Sequence, residues 1–297
     1  MVLLPPKSTP HSWSLLHKSF YQFVKLILPR FMRLYFEFEI NGIENSKRFP
    51  EGTAVIYCFN HRSHLDTFIF ASALVYPFGN RTSCGLMASG KEMEQKFFSF
   101  LKYLGAFPVY SQNPKPALDY AAKLLKENFA VLIAPQGKRI PSNPLHDYHH
   151  LIQEAKSGVG RLILKFNGKI PVVPMYIHGS REALNHGKII PKFKSFISIS
   201  FCKPLFFTKY YQKGGWIDSD PSFYTTARKI SNQIMASIRD QMIIQERNFF
   251  TIIKRKFKTP LEKFNIPPDS NPKANEFFAK LLHYRPDELE KWIKASP

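Results

Sequence analysis

The sequence predicts an α/β fold, a mixed, largely parallel sheet flanked by helices, preceded by an N-terminal amphipathic helical segment suited to a membrane interface. Three observations carry this. Short apolar runs alternate with amphipathic helical patterns across residues 41–246. Two of the runs, AVIYCF at 54–59 and FAVLIA at 129–134, are apolar at every position, as strands covered on both faces are. Before them, residues 13–40 are dense in aromatic and aliphatic side chains punctuated by cations.

In that first segment, Lys18, Lys25, Arg30 and Arg33 fall within one arc of a helical wheel, and Trp13, Phe20, Phe23, Ile27 and Phe31 lie on the rest of the perimeter. Such a helix suits a bilayer interface, with basic stems reaching towards phosphates. It equally suits packing on its own domain, and the two are compatible if only part of the apolar face docks. Pro29 is expected to kink or divide it.

The elements that follow are expected as a strand at 54–59, a helix at 65–75, a strand at 84–88, a helix at 91–103 and a strand at 106–110. A helix at 116–127, the strand at 129–134, a helix at 150–166, and strands at 172–177 and 196–201 come next, and a long helix at 221–246 closes the domain. Beyond it lie a basic stretch, IIKRKFK, a Pro-rich linker and two short helical patterns at 274–283 and 286–294. The chain thus divides into residues 1–40, 41–246 and a basic tail at 247–297. Nothing repeats at a fixed period.

The net charge of +20 and pI near 9.8 call for an anionic partner, nucleic acid or a negatively charged membrane surface. The basic residues are dispersed, and neither an RNA-binding aromatic signature nor a zinc module accompanies them, so nucleic acid is not expected. Cys58, Cys84 and Cys202 form no C-x-x-C pair, which argues against a zinc ribbon or a disulfide framework and fits a reducing compartment. The N-terminus lacks the pattern of a signal peptide. No stretch reaches the roughly 18 to 20 charge-free apolar residues of a spanning helix.

The stretch NHRSHLD at 60–66 packs two histidines and an aspartate into seven positions. As a metal site, His61, His64 and Asp66 match no familiar ligand spacing, and His146, His149 and His150 would have to contribute. As an acid–base pair, His61 follows a strand at the carboxyl edge of the sheet, and Asp66 falls in the first turn of the next helix. Its carboxylate then fixes the imidazole tautomer, so that the other ring nitrogen takes a proton from a hydroxyl. As plain structure, Asp66 favours a helix N-terminus and His61 is a loop residue.

Three further stretches bear on that choice: GAFPV at 105–109, APQGKR at 134–139 and IPVVPM at 170–175. With NHRSHLD, their order and spacing resemble the glycerolipid acyltransferases, the lysophosphatidate and glycerol-phosphate acyltransferases, from about residue 42 to 244. That family carries an N-H-x4-D block, a G-x-x-x-V block usually ending in Arg, an F-P-E-G-T-R block and a V-P-x-x-P block. SGKEMEQ and KSGVGRL also sit where the family has a Lys–Glu helix start and a lysine–glycine helix.

The resemblance implies that His61 is the general base and Asp66 its orienting partner, while His64 falls at a variable position. It implies no metal and no cofactor, with acyl-CoA or an acylated carrier protein as co-substrate. The acceptor is then a lysophospholipid, most simply 1-acyl-glycerol-3-phosphate, or alternatively glycerol 3-phosphate. Substrate contacts are expected from Asn60, Gln136, Gly137, Lys138 and Arg139, with the acceptor's phosphate on Lys138 and Arg139. It also implies a peripheral or monotopic protein on the cytoplasmic face of an anionic membrane. Two departures stand out. Gln136 replaces the usual Glu, and Tyr110-Ser111-Gln112 stands where an Arg is usual. A non-catalytic lipid-binding relative is the alternative that these departures raise.

Overall fold

The computed structural model describes residues 3–7, 9–50, 52–78, 84–137, 155–184, 190–217 and 219–257, with side-chain detail on the last helix ending before residue 246. The strands are β1 (Glu37–Asn41), β2 (Ile56–Phe59), β3 (Cys84–Ser89), β4 (Ala106–Val109), β5 (Ala130–Ile133), β6 (Val172–His178) and β7 (Phe196–Phe201). They form one sheet in the order β1-β7-β6-β2-β5-β3-β4. Every neighbouring pair is parallel except β6 and β7, so the sheet is mixed and largely parallel, as the sequence predicts.

Alternation along the central strands sends side chains into two separate cores. Ile56 and Cys58 of β2, Val131 and Ile133 of β5, and Val172 and Tyr176 of β6 enter one. Tyr57 and Phe59, Ala130 and Leu132, and Val173, Met175 and Ile177 enter the other. The first core is roofed by helices Lys115–Lys126, Gly158–Lys165 and Pro221–Phe257, the second by Leu15–Tyr35 and Asp66–Phe78. Burial on both faces explains why the central strands lack polar alternation.

The long helix buries Phe223, Ala227, Ile230, Ile234, Ile238 and Met242, a helical repeat along one face. Against it, any Cβ at Gly160 would collide with the Ala227 carbonyl oxygen, so a glycine lets the two helices touch. The Gly160 N–H donates to Ser231 Oγ at 3.1 Å across the same contact.

The N-terminal helix runs through Pro29 as one element, Leu15–Tyr35. Tyr21, Pro29 and Met32 are buried, and Val24, Leu28 and Tyr35 are half-buried, one stripe facing the Asp66–Phe78 helix. Leu15, Leu16, Phe20, Phe23, Leu26, Ile27, Phe31 and Leu34 remain exposed. Only part of its apolar perimeter is therefore used within the fold.

Three elements differ from the sequence reading. Residues 37–40 do not extend the helix but open β1, whose E-F-E-I alternation was hidden beside an aromatic-rich helix; its two glutamates charge an edge strand. The helix expected at 91–103 is a short helix, Gly90–Met93, and a 3-10 segment, Lys96–Leu104, divided by Gln95 in an extended conformation and closed by Gly105 at φ 83°. The closing helix runs past residue 246 to Phe257. The helical patterns expected in the tail, and residues 150–154 of the helix expected at 150–166, lie outside the described residues.

Candidate active site

β2 delivers the chain to the carboxyl edge of the sheet, where Asn60 anchors it. The Asn60 side chain donates to the Ile177 carbonyl at 3.0 Å and accepts from the Ile177 N–H at 2.8 Å. Both arms of this buried amide thus join the ends of β2 and β6, and Asn60 fixes the loop that follows it.

That loop turns into the helix that begins at Asp66. The Asp66 carboxylate is fully buried, and its Oδ2 accepts from the backbone N–H groups of Arg62 at 2.6 Å and Ser63 at 2.9 Å. The helix N-terminus favours the same negative charge. His61 Nδ1 lies 2.8 Å from Oδ2. A carboxylate only accepts, so Nδ1 carries the hydrogen, and in the neutral ring the lone pair falls on Nε2. Oδ1 is buried with no hydrogen-bond partner among the described residues. The carboxylate's charge is therefore directed to the imidazole and the loop amides. The imidazole is about one-fifth exposed and lines a cavity of about 880 Å³.

The end of β5 supports the same histidine from below. Gln136, 3% exposed, accepts the His61 backbone N–H on Oε1 at 3.3 Å. This task needs an acceptor oxygen and no charge, so a glutamine meets it. Gly137 follows at φ 66°. An added Cβ there would lie 2.8 Å from Cδ of Lys156, so the lysine stem crosses the glycine. The Lys156 ammonium donates to Ser111 Oγ at 3.4 Å, beside the turn after β4. Lys138 and Arg139 lie outside the described residues.

The structure thus brings together His61, Asp66, Gln136 and Gly137, and gives Asn60 an anchoring contact with β6. His64 also lines the cavity, with Nδ1 3.9 Å from Glu92 Oε2. IPVVPM forms the start of β6, where Pro174 stands opposite Cys58 of β2, so this block builds the sheet beside the strand that leads to the dyad. Lys156, Arg161 and Arg228 line the cavity too. Sequence reading passed over them; the KSGVGRL stretch held a signal for the first two, whereas Arg228 has none outside its packing.

Among the described residues, no group of three or more His, Cys, Asp and Glu side chains is placed to hold a metal ion. His146, His149 and His150 lie outside those residues. Cys58 is close to the dyad in sequence but points into the opposite core, where burial pushes its thiol well above the ordinary range. No helix among the described residues is long and apolar enough to cross a membrane.

A buried carboxylate oriented on an imidazole that is about one-fifth exposed, on the wall of a cavity, is an arrangement for taking a proton from a bound hydroxyl. Comparison with known proteins agrees with that chemistry. The family model described as Acyltransferase matches residues 38–178, from β1 to the end of β6. No curated protein matches the chain. With NHRSHLD, the end of GAFPV and the start of APQGKR lining one cavity, residues 38–178 form an acyltransferase domain of the glycerolipid acyltransferase kind.

Proposed function

We propose that this acyltransferase moves a fatty acyl group from an acyl thioester, acyl-CoA or an acylated carrier protein, to a free hydroxyl of a lysophospholipid, with 1-acyl-glycerol-3-phosphate as acceptor. The observation that carries the reading is the His61–Asp66 contact of 2.8 Å on the wall of the cavity. His61 Nε2 takes the proton of the acceptor hydroxyl as its oxygen attacks the thioester carbonyl. The buried Asp66 stabilises the imidazolium that forms. Collapse of the tetrahedral intermediate breaks the carbon–sulfur bond, and the departing thiolate takes the proton from His61. An ester and a free thiol result, and no acyl-enzyme forms.

The walls suit both ends of such substrates. Phe59, Phe68, Leu86, Met93 and Leu101 offer apolar surface for hydrocarbon, and Arg62, Lys156, Arg161, Arg181 and Arg228 add positive charge to the lining. The exposed apolar side of the Leu15–Tyr35 helix, with the chain's positive charge, supports docking on the interface of an anionic bilayer, where both lipid substrates reside. The test is to incubate purified protein with labelled acyl-CoA and a panel of lysophospholipids plus glycerol 3-phosphate. Labelled diacyl-glycerol phosphate is the expected product. Label transferred only to glycerol 3-phosphate would reassign the acceptor, and no transfer to any acceptor would overturn the reading.

A further inference from the structure

The chain ahead of the N-terminal helix forms a strap between that helix and the cavity. Its upper end is held by Tyr110. The Leu3 N–H donates to the Tyr110 hydroxyl at 2.9 Å, and that hydroxyl donates to Glu94 Oε1 at 2.6 Å. One phenol oxygen both gives and accepts, so the strap, the turn after β4 and the end of the Gly90–Met93 helix meet at a single atom. The ring itself lies on Gly90, where an added Cβ would stand 2.2 Å from the ring's Cζ. The neighbours of this junction are the cavity wall: Val109 and Ser111 flank Tyr110, and Glu92 and Met93 precede Glu94.

The lower part of the strap is pinned to the Lys115–Lys126 helix. Lys123 Nζ donates to the Lys7 carbonyl at 3.0 Å, and the buried Thr9 donates from Oγ1 to Glu127 Oε2 at 2.5 Å. That helix leads from the carboxyl edge back to the start of β5, so the strap spans the height of the sheet beside the edge strand β4. Among the described residues it bonds to no backbone group of β4, so it is a latch held at its ends rather than a further strand. Pro5, Pro6 and Pro10 fix their own φ, which makes it a stiff spacer instead of a slack linker. Its joint with the Leu15–Tyr35 helix is closed by Trp13, stacked on His17 at 3.9 Å and edge-on to Tyr21 at 5.4 Å.

We propose that Tyr110 is a positioning residue, latching the strap to the cavity so that docking of the helix on a bilayer sets the placement of the wall formed by Glu92, Met93, Val109 and Ser111. That docking belongs to the function proposed above, on which this inference rests. Leu15 and Leu16, each 81% exposed, stand directly after the strap. A bilayer that takes up these two side chains fixes the lower joint, and the stiff spacer carries that restraint to Tyr110. Two sites that bias one shared state are coupled in this way without touching. Tyr110, in the stretch that departs from the usual pattern, thereby has a task particular to this chain.

The test is amide hydrogen exchange of the full chain, read by mass spectrometry, free and with saturating vesicles of equal parts phosphatidylcholine and phosphatidylglycerol. In the unaltered protein the vesicles should slow exchange in the Leu15–Tyr35 helix. They should also slow the wall peptides at 90–95 and 109–113 about fivefold or more, the low end of coupling between sites. Tyr110→Phe keeps the ring on Gly90 and loses only the hydroxyl. Its helix should respond as before, while its wall peptides change by less than about twofold on adding vesicles. Replacing both Pro5 and Pro6 with Gly loosens the spacer, touches no bond of the latch and should uncouple the wall as well. Vesicles that slow the helix but not the wall peptides of the unaltered protein would overturn the proposal. So would a full wall response in Tyr110→Phe, or wall peptides that merely exchange faster in that variant with and without vesicles alike. A helix that vesicles leave unslowed would remove the docking and the coupling together. Exchange needs no turnover, so a failure of acyl transfer by the unaltered protein is distinguishable from a failure of the latch.

Discussion

Gln136 holds the backbone of His61, accepting its N–H at 3.3 Å from a position almost closed to solvent. The strand that leads into APQGKR thereby sets the height of the base on the neighbouring strand. Catalysis by proton transfer tolerates little displacement of the base, and an error of about 1 Å costs on the order of a hundredfold. Gln136→Leu keeps the volume and removes the acceptor. It should lower kcat by about ten- to a hundredfold while the KM for the acceptor changes about twofold or less. Steady-state kinetics on the folded variant measures this; a rise in KM alone would make Gln136 a substrate contact instead.

Asp66 supports both the imidazole and the turn before its own helix. Asp66→Asn keeps the shape, removes the charge and lets Nδ1 lose its hydrogen to the wrong tautomer. We expect kcat to fall by about a hundredfold to ten-thousandfold, by analogy with the aspartate of hydrolase triads. The helix N-terminus and the two loop amides lose a carboxylate partner, which should cost about 1 kcal/mol of stability. Kinetics and thermal unfolding read the two effects separately. A variant with a lower Tm and full activity would restrict Asp66 to a structural role.

The cysteines give a test of direct transfer. Burial raises the thiols of Cys58 and Cys202, the latter to about 12, so neither is a thiolate at neutral pH. In the native protein at pH 8, both should escape iodoacetamide and become reactive on unfolding, as peptide mass mapping would record. Alkylation of native Cys58 with parallel loss of activity would point to a covalent acyl-enzyme.

Membrane docking through the N-terminal helix is tested on its unused face. Phe23 and Leu34 are 59% and 79% exposed. Replacing both with Ser leaves the stripe of Tyr21, Leu28 and Met32 intact, so Tm should hold. Each buried methylene contributes about 0.8 kcal/mol to interfacial binding, so partition to anionic vesicles should fall at least about tenfold. Unchanged cosedimentation of the double variant would assign docking to another surface.

Much of this fold was legible because the chain writes it locally. The continuous apolar runs at β2 and β5 announce strands buried on both faces, and NHRSHLD puts base and orienter on either side of one turn. What escaped was decided by distance. β1 reads as more of the preceding helix until its partner β7, far along the chain, supplies a ladder. The anchoring of Asn60 shows only when Ile177 comes alongside and engages both ends of its amide. Arg228 joins the cavity only because Gly160 lets two helices touch, a contact that no spacing in either helix encodes. Gln136 looks like a loss of charge in a row of letters. In three dimensions it faces a backbone N–H, where an amide oxygen serves.

The most direct test of the account is acyl transfer by His61→Ala. The protein and its variant are each incubated with labelled acyl-CoA and 1-acyl-glycerol-3-phosphate, with circular dichroism and lysophosphatidate binding checked in parallel. The variant should fold, bind the lysolipid and lose transfer by at least about a hundredfold, the contribution expected of a general base. Transfer at the unaltered rate by the folded variant would contradict that role.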